Sequence, residues 1–161
     1  MEKQYVYRVN ATSTALRSGT AAAEDIQPTI AFSAPQEFQG EAGCWTPEHF
    51  LVASVAGCIL STFSGMAHYS KFDFLSLQVE AEGVLGRDEH GWRFTQMIVR
   101  PKLKIAANGS NQERARRLLE KAEKTCLIAR SLACPTILEP DITVEEEVLE
   151  AETLGSSVPI S

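Results

Sequence analysis

Thr46-Pro47-Glu48-His49-Phe50-Leu51-Val52-Ala53-Ser54-Val55-Ala56-Gly57-Cys58 is the stretch on which the fold turns. Thr46 suits a helix N-cap, and Pro47 the first helical position, where a missing N–H costs nothing. Glu48 in the first turn complements the positive end of the helix dipole. From Phe50 to Ser70 no side chain is charged. Residues 50–67 approach the ~20 apolar residues that a membrane span needs. Ser54, Ser61, Thr62 and Ser64 dilute that run, and Gly57 and Gly65 weaken it. The reading adopted is a central helix buried on all sides, with the Cys58 thiol near its middle.

Upstream, Tyr5-Val6-Tyr7-Arg8-Val9 alternates loosely and predicts a first strand. Ser18 to Asp25 (SGTAAAED) reads as a loop or turn, and Ile30-Ala31-Phe32 as a second strand. Pro35 to Gly43 is a connector broken by Gly40 and Gly43. Downstream, Leu75, Leu77, Val79 and Ala81 alternate with Ser76, Gln78, Glu80 and Glu82, the pattern of a strand with one buried face. Arg87 to Gly91 is a polar turn, Trp92 to Val99 returns, and Pro101 to Ala106 continues that strand or starts another.

After Ser110 the period becomes helical. Ala115, Leu118, Leu119, Ala122 and Cys126 fall on one side, and Glu113, Arg116, Arg117, Glu120 and Lys124 on the other. This predicts an amphipathic helix from Asn111 to about Leu127, with Cys126 on its apolar face. Ile142 to Val148 suggests a closing strand, and residues 149–161 a frayed tail. The expected architecture is α+β in one domain over residues 1–161, with its core at about 5–147.

Composition bounds the function. The chain has 161 residues, 44% hydrophobic and 22% charged, as in ordinary globular domains. A net charge of −6 and a pI near 5.1, without a basic cluster beyond Arg114, Arg116 and Arg117, argue against a nucleic-acid partner. The N-terminal residues lack the pattern of a signal peptide, so the expectation is a cytoplasmic protein with reduced thiols and no membrane partner. Cys44, Cys58, Cys126 and Cys134 show no C-x-x-C spacing and no paired histidines, so no metal site and no resident cofactor are expected. Each cysteine also has a plain packing reading, since free Cys is among the most buried residue types. His49 and His68 read as helix-end or surface residues, and Trp45 and Trp92 as packing area, with Trp45 beside the site alternatively lining a substrate pocket.

The Thr46–Cys58 stretch resembles the Pro-Glu, apolar helix, Ala/Gly-Cys pattern of the OsmC/Ohr family of thiol-dependent peroxidases, with the same ten-residue step from Glu to Cys. A second match is Ala122-Glu123-Lys124-Thr125-Cys126, where that family places its other cysteine near the end of a later helix. Pro35 with its Gly-containing connector and the intervening hairpin agree with it, and the likeness covers roughly residues 5–147. After Cys126 the chain reads Leu127-Ile128-Ala129-Arg130-Ser131, without the proline and serine of many relatives, which resembles a generic OsmC-like member more than the Ohr branch.

The resemblance implies roles. Cys58 would be the peroxidatic cysteine and Cys126 the resolving one. Glu48 matches the family's acidic residue, and Arg17, rather than Arg8, its N-terminal arginine. It also implies a homodimer, an organic hydroperoxide as small-molecule substrate, and an external dithiol or lipoyl-type reductant. Peroxide reduction needs a thiolate, while burial favours the neutral thiol. A nearby guanidinium, held by Glu48, would restore the charged form. Glu48 and Cys58 are ten residues apart on one helix, ~15 Å along its axis and ~80° around it, so a straight helix cannot bring them together. If both serve one site, either an arginine bridges a long gap or Glu48 comes from a second subunit; the reading adopted is a two-fold dimer with interfacial sites. Two other functions fit the same residues: a non-catalytic domain binding a hydrophobic small molecule, and a thiol redox sensor.

Overall fold

In the computed structural model, which describes residues 3–107 and 111–146, Thr46 has extended backbone and caps helix α1, Pro47–Tyr69. Its Oγ1 accepts from the His49 N–H at 3.2 Å, and His49 Nδ1 accepts from the Thr46 N–H at 3.2 Å. His49 thus fills the reciprocal capping-box place usually held by Glu or Gln. The helix runs unbroken through Cys58, so the axial gap between Glu48 and Cys58 stands.

Burial on α1 departs from the expectation. Only Val55, Ile59, Phe63 and Ala67 are buried, a single stripe at four-residue spacing. Ala53, Gly57, Leu60 and Ser61 are exposed on the other side. The sequence did not mark this, because a helix that is apolar or small all round has no polar face to announce which side lacks a partner. By length and composition α1 is long and apolar enough to cross a membrane. Its buried stripe instead packs against β-sheet and helix.

Before α1 stands a three-stranded antiparallel sheet, β1 (Val9–Ala15), β2 (Ser18–Ala23) and β3 (Ile30–Ser33), in that order. The strand expected at Tyr5–Val9 therefore begins only at Val9, and the expected loop at Ser18–Asp25 is mostly β2. Ala, Gly and Ser are poor strand formers, and pairing on both sides overrides that preference here. Gly19 makes this possible: a Cβ there would lie 2.7 Å from the Thr12 carbonyl oxygen. Every residue of β1 is exposed. The sheet is tied to α1 through Trp45, whose carbonyl accepts from Ser33 N–H at 2.9 Å, and through Phe32 edge-on to Phe50.

After α1, β4 (Ser76–Asp88) and β5 (Gly91–Ala106) form the expected hairpin in one long antiparallel ladder. Two strands then run parallel to β5. β6 (Thr136–Leu138), absent from the sequence reading, pairs with Met97–Val99, and β7 (Asp141–Glu145) pairs with Lys102–Ala106. Pro101, which has no N–H to donate, falls in the gap between these two pairings. The expected closing strand lies within β7 as far as Glu145; its end, and the residues 149–161 read as a tail, fall outside the described residues.

Helix α2 (Gln112–Thr125) is capped by Asn111, whose Oδ1 accepts from Glu113 N–H at 2.7 Å. It stops one residue before Cys126, and a short helix α3 (Leu127–Arg130) follows in a new direction. One core cluster joins Phe63, Ala67 and Phe72 to Leu103 and Ile105 of β5 and to Ala115, Leu119 and Ala122 of α2. The other joins Val55, Ile59, Met97, Val99, Cys126, Ala129 and Cys134. Cys58 packs on the rim of that second cluster.

Candidate active site

Cys126 occupies the junction of two helices instead of the face of one. It closes α2 and caps α3, its Sγ accepting from the Ala129 N–H at 3.4 Å, and it is 0% exposed. Cys58, one residue before buried Ile59, faces this junction from α1 and remains half-buried. The two side chains are near enough for each to shift the acidity of the other, so the fold brings together the two cysteines singled out by sequence.

Their acidities are split. Burial pushes the Cys58 thiol up, but hydrogen bonds from the Cys126 side chain, the Ile128 backbone, the Thr62 side chain and the Leu127 backbone more than offset it, leaving Cys58 below an ordinary thiol. Cys126 moves the other way: burial, its bond to Cys58 and the Cys58 charge raise it against the N–H groups of Ala129 and Ile128. The pair titrates as a unit. Its first proton leaves from the Cys58 side while Cys126 stays a thiol and a donor. A thiol of lowered pKa thus sits beside a buried second thiol of raised pKa.

The sequence argument looked to a guanidinium for this effect; within one chain the downward pull on Cys58 comes from hydrogen bonds. Arg17 lies at the two-residue turn between β1 and β2, exposed and with a left-handed backbone (φ 65°). Its Nη1 donates to the Phe38 carbonyl at 2.7 Å. Glu48 lines a cavity of about 700 Å³ together with Phe38, Val52, Leu85, Trp92 and Phe94. Its Oε2 is buried and has no hydrogen-bond partner among the described residues. Cys58 is not among the residues lining that cavity. One chain therefore unites Cys58 with Cys126 and leaves Arg17 and Glu48 elsewhere. Trp92, read as packing area, lines the Glu48 cavity, whereas Trp45 is 51% exposed and stacks on Phe50.

Sequence reasoning missed Thr62, Leu127 and Ile128. Thr62 follows Cys58 by four residues on one helix, a spacing that places side chains side by side, so its signal was present. The N–H groups of Leu127 and Ile128 have no side-chain signature; they depend on α3 starting where it does. No group of three or more His, Cys, Asp or Glu side chains among the described residues is placed to hold a metal ion.

Comparison with known proteins converges on one family. The family model for OsmC-like proteins matches residues 40–140. An uncharacterised Bacillus subtilis protein, YmaD, is 26% identical over 115 residues, spanning 70% of this chain and 77% of its own. An OsmC-like protein of unknown function from Vibrio cholerae superposes with a TM-score of 0.77 at 19% identity, covering 85% of this chain and 99% of its own. An organic hydroperoxide resistance protein from Legionella pneumophila gives 0.71 at 22% identity, covering 89% and 100%. At these identities the two solved structures speak for the fold.

Proposed function

Since this chain belongs to the OsmC-like family, we propose that it is a cysteine-based peroxidase that reduces organic hydroperoxides to alcohols. The observation that carries the reading is the neighbouring Cys58–Cys126 pair, packed in one cluster with oppositely shifted acidities. The name of the Legionella relative points to the same substrate class.

The cycle has three steps. The Cys58 thiolate attacks the distal peroxide oxygen; the O–O bond breaks, a sulfenic acid forms on Cys58, and the alkoxide takes a proton to leave as alcohol. Cys126 then attacks the Cys58 sulfur, forming a disulfide and releasing water. Disulfide closure needs Cα atoms within ~7 Å, which suits two cysteines that share one packed cluster. An external dithiol reduces the disulfide by exchange and is itself oxidised. Val55, Ile59 and Phe63 are fully buried in the core and do not face a substrate, so the choice of an alkyl hydroperoxide rests on the family likeness.

The working unit in this reading is a homodimer. The exposed β1, the bare side of α1 and the partnerless Oε2 of Glu48 all suit a second copy, which would bring Glu48 and Arg17 toward the Cys58 of its neighbour. Cumene hydroperoxide consumption with a dithiol tests the function: wild type turns over and Cys58→Ser does not. Turnover that survives Cys58→Ser overturns the reading. The cavity at Glu48, which excludes Cys58, favours a second reading, a non-catalytic domain binding an apolar small molecule. Absence of turnover with every dithiol tried would select it.

A further inference from the structure

We propose that Thr62 is a thiolate-stabilising residue, its hydroxyl donating to Cys58 Sγ and holding that sulfur toward the Leu127–Ile128 backbone. The two atoms lie 4.0 Å apart, one helical turn from each other. In the thiol either atom can donate; in the thiolate only the hydroxyl can, and a charge-assisted bond is shorter and stronger.

The neighbouring hydroxyls make Thr62 distinctive. A hydroxyl inside a helix ordinarily bonds back to a carbonyl of the preceding turn. Ser54 does so to Leu51 at 2.6 Å, Ser61 to Cys58 at 3.1 Å and Ser64 to Leu60 at 2.8 Å. The Thr62 hydroxyl instead meets the Cys58 sulfur. Its β-branched side chain has only two favoured χ1 rotamers in a helix, and the one adopted turns the hydroxyl to the sulfur. Together with the Leu127 and Ile128 backbone, Thr62 offers the sulfur donors from two different helices within one chain. The negative charge then has donors on α1 and α3 before any second subunit contributes.

The inference rests on Cys58 acting as a thiolate, but its test needs no peroxide turnover, so the two can fail separately. Full-length wild type, Thr62→Val and Thr62→Ser are alkylated with iodoacetamide across pH 5 to 10, about the range in which thiols titrate. Mass spectrometry of peptides follows each cysteine separately, with Cys134 as an internal reporter of opening of the fold. Thr62→Val, equal in shape but without the hydroxyl, should raise the Cys58 midpoint by about half a pH unit or more, cutting the thiolate fraction at pH 7 roughly three-fold. Thr62→Ser should restore most of the shift. A Cys58 midpoint unchanged in Thr62→Val, or displaced equally by both substitutions, overturns the proposal. If Thr62→Val also exposes Cys134, the Thr62→Ser profile decides: a midpoint away from wild type refutes the role of the hydroxyl.

Discussion

Placing Glu48 and Cys58 on one unbroken helix gives the proposed dimeric site a direct genetic test. α1 carries them ten residues apart, which is ~15 Å of axial rise. If both serve one site, Glu48 must come from the neighbouring subunit. Two parents are made, an inactive Cys58→Ser and a slowed Glu48→Gln, and a mixed dimer is isolated by co-expression with two different tags. Glu48→Gln loses a charge-assisted hydrogen bond, about 1.5–3 kcal/mol, so the parent should slow by ~10-fold or more. In the mixed dimer one site has both lesions and the other has neither. Cumene hydroperoxide turnover should therefore recover to about half of the wild-type rate per dimer. If each site draws Glu48 from its own chain, the mixed dimer instead has one dead and one slowed site and falls below the Glu48→Gln parent. That outcome, or a protein that runs as a monomer in solution, refutes the argument.

Other expectations follow from single residues. Because hydrogen bonds lower the Cys58 thiol while burial and Cys58 itself raise Cys126, the thiolate at Cys58 should persist below the ordinary thiol value of ~8.5. Its alkylation should fall only as pH drops through the lowered value, while Cys126 stays unreactive at neutral pH; equal rates at the two cysteines would contradict the split. Phe63 is fully buried and edge-on to Phe72 and Phe74, so Phe63→Ala should cost about 3–5 kcal/mol in urea unfolding. Thr46→Ala removes the α1 cap and should cost ~1 kcal/mol by the same assay. A loss near zero would mean that His49 and the loop hold the helix start without it.

The architecture was legible where side chains carry local rules. Thr46 and Pro47 fixed the start of α1, and strict alternation in Leu77–Ala81 with a polar turn marked the β4–β5 hairpin. It was opaque where tertiary pairing overrides composition, as in β2, whose Ser, Gly and Ala residues read as a loop. The exposed side of α1 was hidden because the helix has no polar face, so the sequence cannot separate burial within a chain from burial between chains. At the site, the two cysteines were found, but the break at Cys126 was not. No Gly or Pro interrupts the helical period there, and it is this break that aims the Leu127 and Ile128 backbone at Cys58. Of the groups that lower Cys58, the Thr62 hydroxyl was legible from its four-residue spacing, and the Leu127 and Ile128 backbone was not.

The central claim is that Cys58 is oxidised and Cys126 resolves it. Peptide mass spectrometry after one equivalent of cumene hydroperoxide, without reductant, tests it most directly. The account predicts a Cys58–Cys126 linked peptide in the wild type, and in Cys126→Ser a sulfenic acid on Cys58 trapped by dimedone. Four cysteines still reduced, or oxidation centred on Cys44 or Cys134 with Cys58 untouched, would contradict it.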